Sequence, residues 1–189
     1  LQYKADAGTR WAYHNVYVKL QDVIAQASGQ TWSTYFNTKL RDKIGMNGTW
    51  IQVDNNSVYW STTRSMARFG LLISNKGKWE NTVIVNENYN NEATNTSQSI
   101  NLGYGYLWWL NGKSSYHLPQ SQAVFQGSII PNAPNDMFMA LGKNDQKIYR
   151  QTAGQELRRH QQKAAVRQTG GDSRVGARHR ARARSEGRR

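Results

Sequence analysis

Residues 136–149, DMFMALGKNDQKIY, give the clearest indication of the fold. Two apolar runs, 136–142 and 146–149, flank the short polar connection Lys143-Asn144-Asp145. Because so short a connection can join only antiparallel neighbours, the pattern predicts two paired strands. Upstream, GYGYLWWL at 103–110 alternates like a further strand, and its glycine permits close backbone approach.

The N-terminal half has helical periodicity instead. Residues 15–28 repeat apolar side chains at helical spacing, and Gly29 follows as a C-terminal cap. Thr31 can cap a second helix, and WIQV from Trp50 is typical of a short extended piece. Further helices are predicted over about 61–74 and within VNENYNNEAT. Helices that precede antiparallel strands indicate an α+β fold.

Charge divides the chain into two parts. Residues 1–150 hold 14 Lys and Arg against 9 Asp and Glu, whereas residues 151–189 hold 11 against 3. Tyr149 is the last aromatic residue, so the basic tail has too little apolar surface to order itself. We therefore expect one folded domain over 1–150 and a disordered tail over 151–189.

Composition also limits the classes of function. The chain has no cysteine, and its four histidines lack ligand spacing, so we expect neither a metal site nor a cofactor. No segment reaches the roughly 20 apolar residues that a membrane span requires.

The segment AGTRWAYHN, residues 7–15, carries the candidate chemistry. It places Tyr13 and Asn15 two residues apart where a loop enters a helix. Such a pair is either a packed aromatic with a helix cap, or half of a hydrolytic site. A tyrosine with an ordinary pKa near 10 is a poor base unless its surroundings lower that pKa.

Five segments in order resemble the serine β-lactamase and DD-peptidase superfamily. They are similar to the branch that holds class C β-lactamases, carboxylesterases and 6-aminohexanoate-oligomer hydrolases, whose fold is an antiparallel sheet flanked by helices. The segments are GTRWAYHN, SGQTWSTYFNTKLRDKIGM, STTRSMARFGLLISNKGKW, GYGYLWWLNG and ALGKNDQKIY.

The resemblance implies an acyl-enzyme reaction on an amide or ester. In that family the serine of a Ser-x-x-Lys motif attacks the carbonyl, and a Tyr-x-Asn tyrosine relays protons. Tyr13 would be that relay, and Asn15 would hydrogen-bond the substrate or the lysine. Lys143 would bias Tyr13 towards phenolate or attract a substrate carboxylate.

The same resemblance assigns substrate contacts around the strand end. Gly142 and Asn144 would line the site, and the backbone N–H of Gln146 would be one oxyanion-hole donor, a contribution of roughly 3–4 kcal/mol in comparable enzymes. A small-molecule amide or ester is the implied substrate, and a bacterial periplasmic or secreted location is implied as well.

Two departures from the family pattern change what this chain is expected to do. No serine is followed three residues later by lysine, and Asp145 stands where the family usually has glycine. We therefore expect a fragment that lacks the nucleophile, the first strands and helix, and the last strand and helix, and that does not turn over.

The tail leaves three interpretations open: a nucleic-acid-binding arm, a membrane-surface patch, and a shifted reading frame. It has no apolar face for a membrane, and the abrupt break after Tyr149 favours the shifted frame. The alternative functions are thus a non-catalytic ligand-binding homologue and nucleic-acid binding through the tail.

Overall fold

A three-stranded antiparallel sheet lies at the centre of the fold. The computed structural model describes residues 3–142 and 145–151, which lie within one compact unit, Leu1–Thr152. The helices are α1 (Val16–Ser28), α2 (Trp32–Phe36), α3 (Thr63–Ser74) and α4 (Glu87–Ala93), and a π-helical turn at Asn37–Arg41 extends α2. The strands are β1 (Gly48–Val53), β2 (Asn56–Ser61), β3 (Lys78–Trp79), β4 (Thr82–Val83), β5 (Trp109–Leu110), β6 (Ser115–Tyr116), β7 (Phe125–Gln126), β8 (Phe138–Leu141) and β9 (Lys147–Arg150).

The central sheet has the order β5-β8-β9, and the two strands predicted over 136–149 are its β8 and β9. Their register pairs Met139 with Tyr149 and Leu141 with Lys147. The remaining pairs of strands form three separate two-stranded ribbons. The α+β prediction is confirmed.

The predicted strand at 103–110 is wrong over most of its length. The chain folds back on itself there, because the N–H of Gly105 bonds the carbonyl of Trp108 at 2.8 Å and the N–H of Leu110 bonds that of Gly103 at 2.8 Å. Leu107 adopts a left-handed φ of 64° at the turn. Only Trp109–Leu110 continues as a strand.

The two faces of β8 pack against different cores. Phe138 and Ala140 lie in one cluster with Ile73 of α3 and Trp108. Met137 and Met139 lie in a second cluster with Trp11 and Trp109. This alternation is what a strand with both faces covered requires.

A third cluster joins α2, α3 and the β1–β2 ribbon. Its fully buried members are Ile44 and Leu72, both 0% exposed. Trp32, Phe36 and Leu40, from α2 and the π-helical turn that extends it, also belong to this cluster. The β2 strand was missed by the sequence reading, although Asp54 and Asn55 form the short turn that such a ribbon needs.

Helix α1 does not bury its apolar face. It begins and ends close to the predicted bounds, and Gly29 caps it with φ 65°. However, Val16, Leu20 and Val23 are 51%, 48% and 61% exposed. The one buried residue of α1 is the polar Gln21. The predicted basic tail over 151–189 lies outside the described residues apart from Gln151, and the predicted domain boundary near residue 150 stays a prediction.

Candidate active site

Trp11 anchors the segment that carries Tyr13. Its indole is 8% exposed, and its Nε1–H donates to the Leu118 carbonyl at 3.0 Å. The Gln122 side chain in turn donates to the Trp11 carbonyl at 2.9 Å. Two hydrogen bonds from a distant loop therefore fix the backbone two residues before Tyr13.

The Tyr13 ring lies in an aromatic cluster on the second face of the sheet. This aromatic cluster comprises Trp11, Tyr13, Tyr104 and Trp109. The centroid of the half-buried Tyr13 ring is 5.5 Å from that of Trp109 and 5.9 Å from that of Tyr104, the latter edge-on. Leu141, the last residue of β8, packs against the same core. Tyr13 thus shares a sheet face with the strand end that leads into Gly142.

Tyr104 supplies the electrostatic partner of Tyr13. Burial raises the pKa of Tyr104 well above its ordinary value, and the neighbouring Tyr13 phenol raises it further. Because Tyr104 keeps its proton through the neutral range, its hydroxyl is available as a donor beside the Tyr13 oxygen.

Asn15 is exposed and bonded away from the aromatic cluster. Its amide Nδ2 donates to the Asn55 carbonyl at 3.1 Å and to the Asn56 Oδ1 at 3.3 Å. It stands at the N-cap position of α1, but in the described structure its side chain makes no capping hydrogen bond. Contact with a substrate would require Asn15 to exchange these bonds, and that role stays a prediction. His14 between the two residues is exposed.

The turn between β8 and β9 holds the remaining predicted residues. The N–H of Gly142 bonds the Gln146 carbonyl at 2.7 Å and closes the turn. Asp145 has φ 63° and pairs with Lys147, which raises the pKa of that lysine. The predicted site residues Lys143 and Asn144 lie outside the described residues. Their roles, and those of Gly142 and Gln146, stay predictions.

A buried polar network behind Trp11 was not assigned by sequence reasoning. His117 is 9% exposed and stacks on Trp11, with ring centroids 6.3 Å apart and planes 21° apart. Its backbone N–H donates to the Asn101 Oδ1 at 3.2 Å, and Asn101 Nδ2 donates back to the His117 carbonyl at 3.3 Å. The Nδ1 of His117 is buried with no partner among the described residues. No sequence signal linked His117 to Trp11, because the two residues lie far apart in the chain and meet only in the fold.

The described residues show neither a metal-binding cluster nor a membrane-spanning helix. They contain no cluster of three or more histidine, aspartate or glutamate side chains that could hold a metal ion. Among them, no helix has the length and apolarity needed to cross a membrane.

Comparison with known proteins places the chain in a family. Residues 1–149 match the family model described as Beta-lactamase, and the chain therefore belongs to the beta-lactamase family. The search of curated proteins finds no match. Among solved structures, the fold is similar to a protein described as a 6-aminohexanoate-dimer hydrolase from Bacillus anthracis, with a TM-score of 0.60 and 20% identity. The match covers 78% of this chain and 37% of that chain, and at this identity it shows the fold alone. The predicted superfamily is confirmed.

Proposed function

We propose that this chain carries the proton-relay part of a serine hydrolase site that acts on an amide or ester through an acyl-enzyme. The observation that supports it is the location of Tyr13 against the sheet face that Leu141 also lines, immediately before Gly142. Membership of the beta-lactamase family supports the reaction class.

Tyr13 is the general acid–base in this proposal. A phenol next to a nucleophile can accept its proton and return it to the leaving group, a contribution of roughly 10²–10⁴ in rate. The protonated Tyr104 hydroxyl would stabilise the Tyr13 oxygen while it carries negative charge. Trp11 and its two loop hydrogen bonds hold Tyr13 in place for this step.

The isolated chain is proposed to be inactive. An acyl-enzyme needs an activated nucleophile, and no serine of this sequence has a lysine one helical turn further on. The chain spans 37% of the similar hydrolase structure, so substrate choice belongs to the proposal as well.

Hydrolysis of nitrocefin and of p-nitrophenyl esters tests this proposal. The wild-type chain should not exceed the buffer rate. Tyr13→Phe is compared with Tyr106→Phe, which alters an exposed tyrosine outside the aromatic cluster. Turnover that Tyr13→Phe removes and Tyr106→Phe keeps would contradict the missing nucleophile and support the relay. Turnover that survives Tyr13→Phe would exclude Tyr13 from the reaction.

If wild type, Tyr13→Phe and Tyr106→Phe all hydrolyse substrate no faster than buffer does, ligand binding provides the test. N-methylacetamide, the smallest secondary amide, is titrated while the indole signals of Trp11 and Trp109 are followed by NMR. Tyr13→Phe should weaken binding by about 2- to 10-fold, the effect of one hydrogen bond. Equal affinity in both proteins would argue against a substrate site at Tyr13.

A further inference from the structure

A groove that shares no residue with the aromatic cluster lies between α1, α2 and the β1–β2 ribbon. Its volume is about 390 Å³, which is within the range of small-molecule sites. None of its lining residues belongs to the aromatic cluster. They are Val18, Gln21, Asp22, Ala25, Thr31, Trp32, Ser33, Trp50, Gln52 and Ser57, and we call this the Gln21 groove.

Gln21 is the residue that makes the groove unusual. Its side chain lines the groove and is only 8% exposed, which makes it the one buried residue of α1. Within the described part of the chain, its amide makes no side-chain hydrogen bond. An amide can both donate and accept hydrogen bonds, so Gln21 can bind a polar molecule in the groove.

The two tryptophans of the groove also have polar groups without a hydrogen-bond partner among the described residues. Trp32 and Trp50 meet edge-on with ring centroids 5.2 Å apart. Both indole Nε1–H groups are buried without a partner among the described residues. An indole N–H can only donate a hydrogen bond, so each of these two groups lacks an acceptor.

The charge of the groove restricts the ligand further. Asp22 is the one ionised side chain in its lining, and Lys19 already pairs with it at 3.0 Å. The other polar groups are hydroxyls and amides. An anionic ligand would find no counter-charge in this lining, and a cationic ligand would have to displace Lys19 from Asp22.

From these observations we propose that the Gln21 groove binds a neutral sugar. A pyranose ring has an apolar face of C–H groups that packs on indole rings, and its hydroxyl oxygens both accept and donate hydrogen bonds. Those oxygens would satisfy the Gln21 amide directly. This site is independent of the hydrolase proposal.

Indole NMR on the wild-type chain provides the first test. Cellobiose is the probe, and glycerol, which has hydroxyls but no ring, is the control. The Nε1–H signals of Trp32 and Trp50 should shift saturably with cellobiose and not with glycerol. The signal of Trp60, 63% exposed and outside the groove lining, should stay constant. Unchanged signals from Trp32 and Trp50 would overturn the proposal and leave water as the occupant.

Two matched pairs of variants provide the second test. Gln21→Ala removes the unpartnered amide, whereas Gln26→Ala removes an exposed amide from the same helix. Trp32→Phe changes the groove, whereas Trp60→Phe does not. The groove variants should weaken cellobiose binding by about 2- to 10-fold, as expected for one hydrogen bond, and the controls should bind like wild type. Equal weakening by Gln26→Ala or Trp60→Phe would overturn the proposal, and circular dichroism confirms that each variant is folded.

Discussion

Burial of the Tyr104 phenol makes the stability of the fold sensitive to alkaline pH. The pKa of Tyr104 in the folded protein lies above its value of about 10 in an unfolded chain. The folded state therefore holds this proton more tightly. The resulting stabilisation is complete below pH 10 and is lost as the pH rises from there through the folded pKa.

Tyr104→Phe should flatten this alkaline loss of stability. Urea unfolding at a series of pH values from 8 upwards measures it. Tyr106→Phe, an exposed tyrosine close in sequence, is the control and should keep the wild-type slope. Burial also raises the pKa of Tyr59, so part of the slope should remain in Tyr104→Phe. An unchanged slope would show that Tyr104 is not desolvated.

Asn111 is the residue whose removal should cost most among the buried amides. It is 1% exposed, and its Nδ2 donates to the carbonyls of Ile130, Ala133 and Pro134 at 3.0–3.2 Å. Its Oδ1 accepts from the Ile130 N–H at 2.9 Å. The side chain thus fixes the backbone of the loop between Ile130 and Pro134, which precedes β8.

Asn111→Ala should lower the free energy of unfolding by about 2–4 kcal/mol, because several buried backbone groups lose their partner at once. Urea unfolding gives the value, and the exposed Asn132→Ala serves as the matched control. A loss below about 1 kcal/mol would mean that water replaces the amide in this loop.

At the scale of elements, helix ends show where local sequence is decisive. Thr62 caps α3, since its hydroxyl accepts from the Ser65 N–H at 3.2 Å. Thr62→Ala should therefore lower stability by about 1 kcal/mol, as measured by thermal unfolding. Thr63→Ala, one position further on, should have a smaller effect. Equal effects would indicate that the cap contributes nothing beyond propensity.

Elements with a strong local signal were predictable from the sequence. The bounds of α1 follow from periodicity and Gly29, and β8 and β9 follow from two apolar runs around a short connection. The strand predicted at 103–110 failed because Leu107 takes a left-handed conformation, which a non-glycine residue adopts only when its surroundings impose it. Alternation alone could not reveal that turn.

The candidate site was predictable only in its motif residues. Tyr13 belongs to a recognisable segment, whereas Tyr104 and His117 reach the same region from about 90 to 100 positions away in the chain. Their involvement depends on packing between distant segments. Patterns in a single sequence do not show such contacts, so the network around Trp11 is visible only in the folded structure.

At the scale of the whole molecule, the exposed face of α1 is the largest discrepancy between pattern and packing. Helical spacing of Val16, Leu20 and Val23 is typical of a core-facing stripe, yet all three are about half exposed or more. Contiguous exposed apolar surface of this kind favours association.

Leu20→Lys combined with Val23→Lys should therefore reduce self-association without unfolding the chain. Sedimentation velocity over a range of concentrations measures the association, and circular dichroism measures the folding. Val83→Lys, an isolated exposed valine, is the control and should leave association unchanged. Equal sedimentation of the wild type and the double variant would show that α1 does not mediate self-association.

The register of strand β8 determines how both cores are filled. Because Phe138 and Met139 belong to different cores, a slip of one position would turn methionines towards α3 and bring the phenylalanine ring beside Tyr13. A single register error would therefore place the wrong side chains in both cores. The hydrogen bond that closes the Gly142–Gln146 turn fixes the register of β8 against β9, so the filling of both cores depends on one turn.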